Sequence, residues 1–490
     1  MTAVVASADS TCSCRDTLPD MRVSLMCRIL GLALVLAGLG FLPACQGTQK
    51  EPGAAGGRKL VEVSVFQGGY DIDFWEACAR QYQETHPEVK VNLWGDPRNA
   101  EKLRPRFIAG SPPDLVYASL PIWILIAADQ CLPLDEELAK PAVGQPGKTW
   151  KESLIPSAYT DFSQDGQTYA LTVPYAVFGF WYDHRLFGAH GWQPPRTWDD
   201  LLALCEQIKQ AGIDPIAFQG RYPGYIQSLF ETLVERIGGI EAWLATQNIE
   251  PGAWKSEPAV RAWEMVQELR QREYIPKAYM GLSHMESQME WVQGKAAMIP
   301  CGTWLTTEMK SSMPKEFEVG FIPYPGVPGG KGDPTAINAG GEYWFVPTKA
   351  RYPDIGADIL RHVMSLDNAR KFVQDKKALF AVRNCDDSPP VALREAVAAA
   401  HSAAFMFSSR VSQWYPTFGS AYNEVCGSVM SLDMTPQEAG EYLERAAAAQ
   451  RRDRRTRRHE MPDPRLALTP SPLPGGEGRP KAGVRAAEAR

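Results

Sequence analysis

Trp304 closes the stretch Trp291–Trp304, which contains a helix end, a Gly break, a uniformly apolar run from Ala296 to Pro300, and Gly302-Thr303-Trp304. An apolar run of this length suits a strand buried on both faces. It delivers a large flat ring to the carboxyl edge of a sheet, where open α/β sheets bind ligands. Comparable positions recur. Gln67 and Tyr70 follow the first strand, with Gly68 and Gly69 between them, so a ligand can approach the backbone. Ser119 ends the third strand, and Gln219 follows the short strand Pro215–Phe218. Tyr175 lies just after Pro174, and Glu342 directly follows Gly340-Gly341. Rings, amides, hydroxyls and one carboxylate hold a polar ligand without breaking bonds.

Bond-making chemistry finds less support. Asp199-Asp200 and Asp386-Asp387 adjoin in sequence and so diverge in direction. A glycosidase needs two carboxyls facing one bond. Glu342 could meet Glu286 or Asp96 only through folding. No nucleophile elbow, zinc-protease helix or phosphate loop is present, and Gly329-Gly330-Lys331-Gly332 lacks the required spacing. The seven His are scattered. We therefore expect no catalytic residue, no metal and no cofactor.

These positions need elements to hold them. Leu60–Phe66 alternates and is β-branched, so it is a strand. A helix over 73–85, a strand from Glu88 to Trp94, a helix over 99–109 and a strand at Asp114–Ser119 follow. That order implies a parallel sheet with right-handed crossovers. Tyr169–Tyr175 is extended but interrupted by Pro174, and Phe178–Tyr182 is a further apolar strand. Thr197 is a helix N-cap, followed by early acids and apolar periodicity to Ile208. Helices are expected at 226–237, 258–272, 353–366, 367–377, 388–402, 418–430 and 434–450. Strands are expected at 317–322 and 342–347, with a loop from Pro323 to Gly341. Trp181, Trp198, Trp263 and Trp291 fall on core faces.

The ends differ from the middle. Arg22 and Arg28 precede the apolar run Ile29–Leu42, which at 14 residues is short for a membrane span of roughly 20. Leu42-Pro43-Ala44-Cys45 then reads as a lipoprotein cleavage site with Cys45 as the lipidated residue. Met21 or Met26 is a more natural start than Met1. Residues 46–59 are polar with four Gly, a flexible tether. Six Cys follow Cys45, without a Cys-x-x-Cys pair, and behave as small buried apolar residues. Residues 451–490 carry eleven Lys/Arg against five Asp/Glu with many Pro and Gly, and read as a disordered basic tail. That tail is either a translated intergenic or read-through segment or an arm for nucleic acid or acidic surfaces. The net charge of −6 argues against nucleic acid as a partner.

Several motifs coincide with one family. They are Trp75–Pro87, Pro113-Asp114-Leu115-Val116, Val173-Pro174-Tyr175, Phe180-Trp181-Tyr182-Asp183 before Leu186-Phe187, Pro195–Leu201, and Gly294–Met298 with Gly302-Thr303-Trp304. Over residues 60–450 the chain resembles the extracellular solute-binding proteins of ABC sugar importers, the family 1 group that includes maltose-binding protein. The resemblance implies a type II periplasmic-binding-protein fold. In it two α/β lobes, each a sheet flanked by helices, are joined by hinge crossings that close around a sugar. Lobe 1 would take 60–170 and 339–372, and lobe 2 would take 171–338 and 373–450. Crossings would fall near Ala170–Tyr175, near Asn338–Tyr343 and within 367–377, with Pro174, Gly340 and Gly341 as hinge residues. An aromatic near Trp414 often faces the cleft in the family, so Trp414 joins the ligand-binding candidates. The implied partners are a carbohydrate, the ABC permease subunits and, through the lipid anchor, a membrane; a monomer is expected. A glycan-degrading enzyme and a receptor-coupled sugar sensor are the alternatives.

Overall fold

The computed structural model describes residues 57–118, 120–453 and 457–465. The proposed leader, Cys45, most of the tether and Ser119 lie outside the described residues. In β1 (Lys59–Phe66), Val61, Val63 and Val65 are buried at every second position. The helix Asp73–Thr85 then lays Phe74, Trp75, Cys78 and Tyr82 onto the sheet, with Asp73 and Glu76 in its first turn. β2 (Val89–Asp96) and β3 (Leu115–Tyr117) both pair with β1 in parallel. The short hairpin β4 (Ser163–Gln164) and β5 (Gln167–Thr168) leads into β6 (Leu171–Asp183), a strand of 13 residues.

Beyond β6, the helix Trp198–Gln210 starts at Thr197 with a reciprocal capping box to Asp200. β7 (Asp214–Ile216) runs parallel to β8 (Ala296–Gly302), and all seven residues of β8 are buried. β9 (Val319–Pro323) and β8 both pair antiparallel to the second half of β6. The chain returns along β10 (Ile337–Phe345), which starts inside the segment expected to be a loop. β11 (Leu379–Phe380) and β12 (Met406–Phe407) add short pairings to β6 and β10.

The sheet order is β2-β1-β3-β10-β6-β8-β7. One lobe therefore hangs on β1–β3 and the other on β7–β9, and the antiparallel pair β6 and β10 joins them. Pro174 does not interrupt β6, as the sequence suggests. It sits at a register shift where Val173 and Pro174 oppose Glu342 alone, because Tyr175 pairs Gly341 and Thr172 pairs Tyr343. A bulge tolerates a residue that cannot donate a ladder hydrogen bond. The third passage also lies later than expected. The helix Leu366–Lys376 packs Phe372 against Phe74 and Trp75, and Ala381 and Arg383 still bond backbone at residues 153–155. The chain crosses only between there and the helix Arg394–Ser402, which covers β9.

Each lobe has an aromatic core. Trp75 lies 5.0 Å from Trp344, which stacks on Tyr117 at 5.0 Å and 14°. In the other lobe Phe230 stacks on Trp263 at 3.9 Å. Trp181, Trp198, Trp263 and Trp291 are buried as expected. All six described Cys are buried and unpaired.

The joining strands approach too closely for side chains at one point. A Cβ on Gly341 would lie 2.1 Å from Thr172 Cγ2 on β6. Gly341→Ala should destabilise the fold by about 1–3 kcal/mol, the cost of overpacking. Gly188, in the helix His184–His190, has nothing within 4 Å of an added Cβ. Gly188→Ala should be neutral or stabilising. Urea unfolding of both variants checks the contrast.

Candidate functional site

Where β6 and β10 run side by side between the lobes, they floor a cavity of about 620 Å³. Pro174–Ala176 and Phe178 face it from β6, and Asn338–Glu342 from β10. Tyr70 enters after β1, and Trp304 after β8. A second space of about 970 Å³ shares Tyr70, Tyr225, Trp304 and Glu342 and extends to Gln67, Glu308 and Lys376. The two form one cleft.

Trp304 is half-buried at the start of the short helix Leu305–Glu308. Phe178 meets it edge-on at 5.5 Å and 79°, and Tyr225 at 6.4 Å and 71°. The indole folds back over its own strand end. A Cβ on Gly302 would sit 2.1 Å from Trp304 Cζ3, so the Gly-Thr-Trp sequence is what allows this pose. Tyr70 is buried against Phe372 at 5.3 Å, with its ring toward both cavities. Burial, with Glu342 and Glu308 nearby, pushes its phenol well up, so it stays a donor. Tyr175 is likewise buried and kept protonated on the crossing strand β6. Gln67 lines the outer space, and its Nε2 donates to Asp71 Oδ1 at 3.1 Å.

Glu342 sits at the bulge and accepts a hydrogen bond from the Tyr117 hydroxyl. Burial pushes its carboxyl up to about 8. A carboxyl held neutral near pH 7 can donate as well as accept, which suits a rim of ligand hydroxyls.

Two expected positions do not reach the cleft. Gln219 is fully buried, and its Nε2 donates to the Pro300 carbonyl at 3.1 Å. The Ala217 N–H, two residues before Gln219, donates to the Met298 carbonyl of β8 and holds this segment along that strand. Trp414 is also buried, 5.9 Å from Trp123 and stacked on His459 at 5.2 Å and 10°. Its neighbour Gln413 lines the cleft instead. Pro174, Gly340 and Gly341 line the cavity at the crossing strands.

The structure adds residues that carry no sequence signal. Arg410 Nη2 donates to Asp161 Oδ1 at 2.5 Å, and both side chains are mostly buried. Burial raises the Asp161 carboxyl, and Arg410 opposes the shift. Glu231 is buried, with the Tyr422 hydroxyl at 3.4 Å and Asn338 Nδ2 at 3.5 Å. Burial pushes it up to about 7. These groups come from five separate segments, so no local spacing marks them. Aromatic faces plus convergent donors and acceptors can bind a ring that is flat on its faces and polar at its rim.

A family model described as bacterial extracellular solute-binding protein matches residues 69–374. A diacetylchitobiose binding protein of Streptomyces coelicolor is 29% identical over 343 residues, covering 69% of this chain and 72% of the relative. A multiple sugar-binding protein of Streptococcus mutans is 23% identical over 372 residues, covering 74% and 80%. Among solved structures, a chitin oligosaccharide binding protein matches with a TM-score of 0.68 at 20% identity, over 80% of this chain and 99% of that one. A raffinose complex matches at 0.64 and 18% identity, over 79% and 98%.

The raised Glu342 carboxyl has a pH consequence. Between its ordinary value of 4.5 and about 8, the folded protein holds a proton that the unfolded chain has lost. Stability contributed by this group therefore falls as pH rises through that window. Glu231 acts in the same direction. Melting temperatures from pH 5 to 8.5 should decline less steeply in Glu342→Gln than in the parent protein.

Proposed function

The chain belongs to the bacterial extracellular solute-binding proteins, and from that premise we propose that it captures a carbohydrate in the interlobe cleft and delivers it to an ABC importer. One observation carries this reading. Trp304, Tyr70, Tyr175 and Glu342, drawn from both lobes and from the joining strands, face one cavity of about 620 Å³. An aromatic wall contributes contact area against the C–H face of a pyranose. Neutral carboxyl and phenol groups pair its hydroxyls, and a site so built rejects analogues lacking them. Gln67 supplies a further amide on the lobe 1 side, and Ser119 completes the set of candidate ligand contacts.

Hinge motion belongs to the same reading. Pro174, Gly340 and Gly341 flex where β6 and β10 pass between the two lobes, the third passage lying between Arg383 and the helix Arg394–Ser402. Cys45 carries a lipid that tethers a monomeric protein to the membrane beside its permease. The protein binds without turnover. The relatives named for diacetylchitobiose and multiple sugars support a mono- or oligosaccharide ligand, and make an N-acetylated disaccharide the first probe.

A thermal-shift screen with diacetylchitobiose, maltotriose, raffinose and xylotriose tests this. At least one sugar should raise the melting temperature in a concentration-dependent way, with no product released. If none does, the carbohydrate reading fails. Calorimetric titration of the stabilising sugar should then show Trp304→Ala weakened by at least about 1 kcal/mol, roughly fivefold. The variant should melt at nearly the parent temperature.

A further inference from the structure

We propose that residues 457–465 form a strap across the hinge that holds the two lobes at a set angle. Composition assigns this stretch to a disordered tail, yet it docks at successive points on both lobes. Arg457 Nη2 donates to Asp165 at 2.7 Å, on the β4–β5 turn that precedes the first crossing. The His459 ring meets Trp123 of the same lobe edge-on at 5.3 Å. Its face stacks on Trp414, and its backbone N–H donates to the Tyr415 hydroxyl at 3.1 Å. The Met461 N–H donates to Asn248 Oδ1 at 2.6 Å, and Arg465 pairs with Glu241 at 2.9 Å. Asn248 and Glu241 belong to the helix Ile240–Gln247 and its cap, beyond the first crossing.

The contacts are unequal. The Arg457–Asp165 and Arg465–Glu241 pairs are about half exposed or more, and water screens them. The His459 stack and Met461, which is 5% exposed, carry the docking. Burial with Arg457 nearby keeps the imidazole neutral, at about 4, so its stack carries no charge to desolvate.

The strap stands off the pivot. Met461, Pro462 and Pro464 face Thr172, Tyr175, Gly340 and Gly341 across a cavity of about 240 Å³. An arm fixed to both lobes restrains the angle between them, and the cavity leaves the glycine pair room to turn. Any motion that separates Asp165 from Asn248 must stretch or release it.

Hydrogen-exchange mass spectrometry on the ligand-free full-length protein tests this. A stop after Asp453 removes the strap, and a stop after Arg465 keeps it. The first should raise exchange in Val173–Val177 and Ile337–Gly341 at least tenfold and broaden the interlobe distances seen by small-angle scattering. The second should match the full chain. His459→Ala combined with Met461→Ala should move the hinge amides in the same direction, and it decides the matter if the shorter chain does not fold. Unchanged hinge exchange in the folded strap-less protein, or in the double variant, overturns the proposal. So does a Met461 amide that exchanges at the unprotected rate in the full chain.

Discussion

The antiparallel pairing of β6 with β10 is the constraint on which the rest of this molecule depends. Among the described residues, two lobes with separate aromatic cores share no other long strands, so this ladder is the main join between them. Its geometry leaves little choice of residue. Gly341 lies against Thr172 with no space for a side chain, and Gly340 faces Phe178. The bulge at Val173–Pro174 turns Glu342 into the space between the lobes. The proposed hinge and the floor of the cavity are therefore the same few residues, so a change of interlobe angle there would alter the cleft.

Electrostatics in the cleft follow from this arrangement. Asp161, Glu231 and Glu342 are carboxyls removed from water. Asp161 is held by Arg410, whereas Glu231 and Glu342 have hydroxyl partners and, among the described residues, no cation at hydrogen-bond distance. Burial without a counter-charge favours the protonated form. Glu231 and Glu342 thus line the cleft as groups that donate and accept without charge, a match to hydroxyls.

Local patterns in the sequence carried a good part of this. The alternation in Leu60–Phe66, the periodicity of Phe74, Trp75, Cys78 and Tyr82, and the cap at Thr197 each depend on neighbours a few residues away. The apolar run Ala296–Pro300 ending in Trp304 was legible for the same reason. Gln219 and Trp414 were misplaced because each depends on register in a short segment. One residue separates Trp414, inside, from Gln413, at the cleft. The Asp161–Arg410 pair joins residues 249 apart in sequence, and no spacing rule reaches that far. The stretch 457–465 was read by composition, which averages His459 and Met461 into a background of Arg and Pro. Docking of a single ring and a single thioether leaves no periodic trace.

The central claim is that Trp304 and Glu342 wall and floor a carbohydrate site. A crystal structure of the protein with the most strongly stabilising sugar tests it most directly. The account predicts a pyranose with one face within about 4 Å of the Trp304 indole, the range of apolar contact, and a hydroxyl hydrogen-bonded to Glu342. Density for the sugar elsewhere, with Trp304 touching only Phe178 and Tyr225, would contradict it.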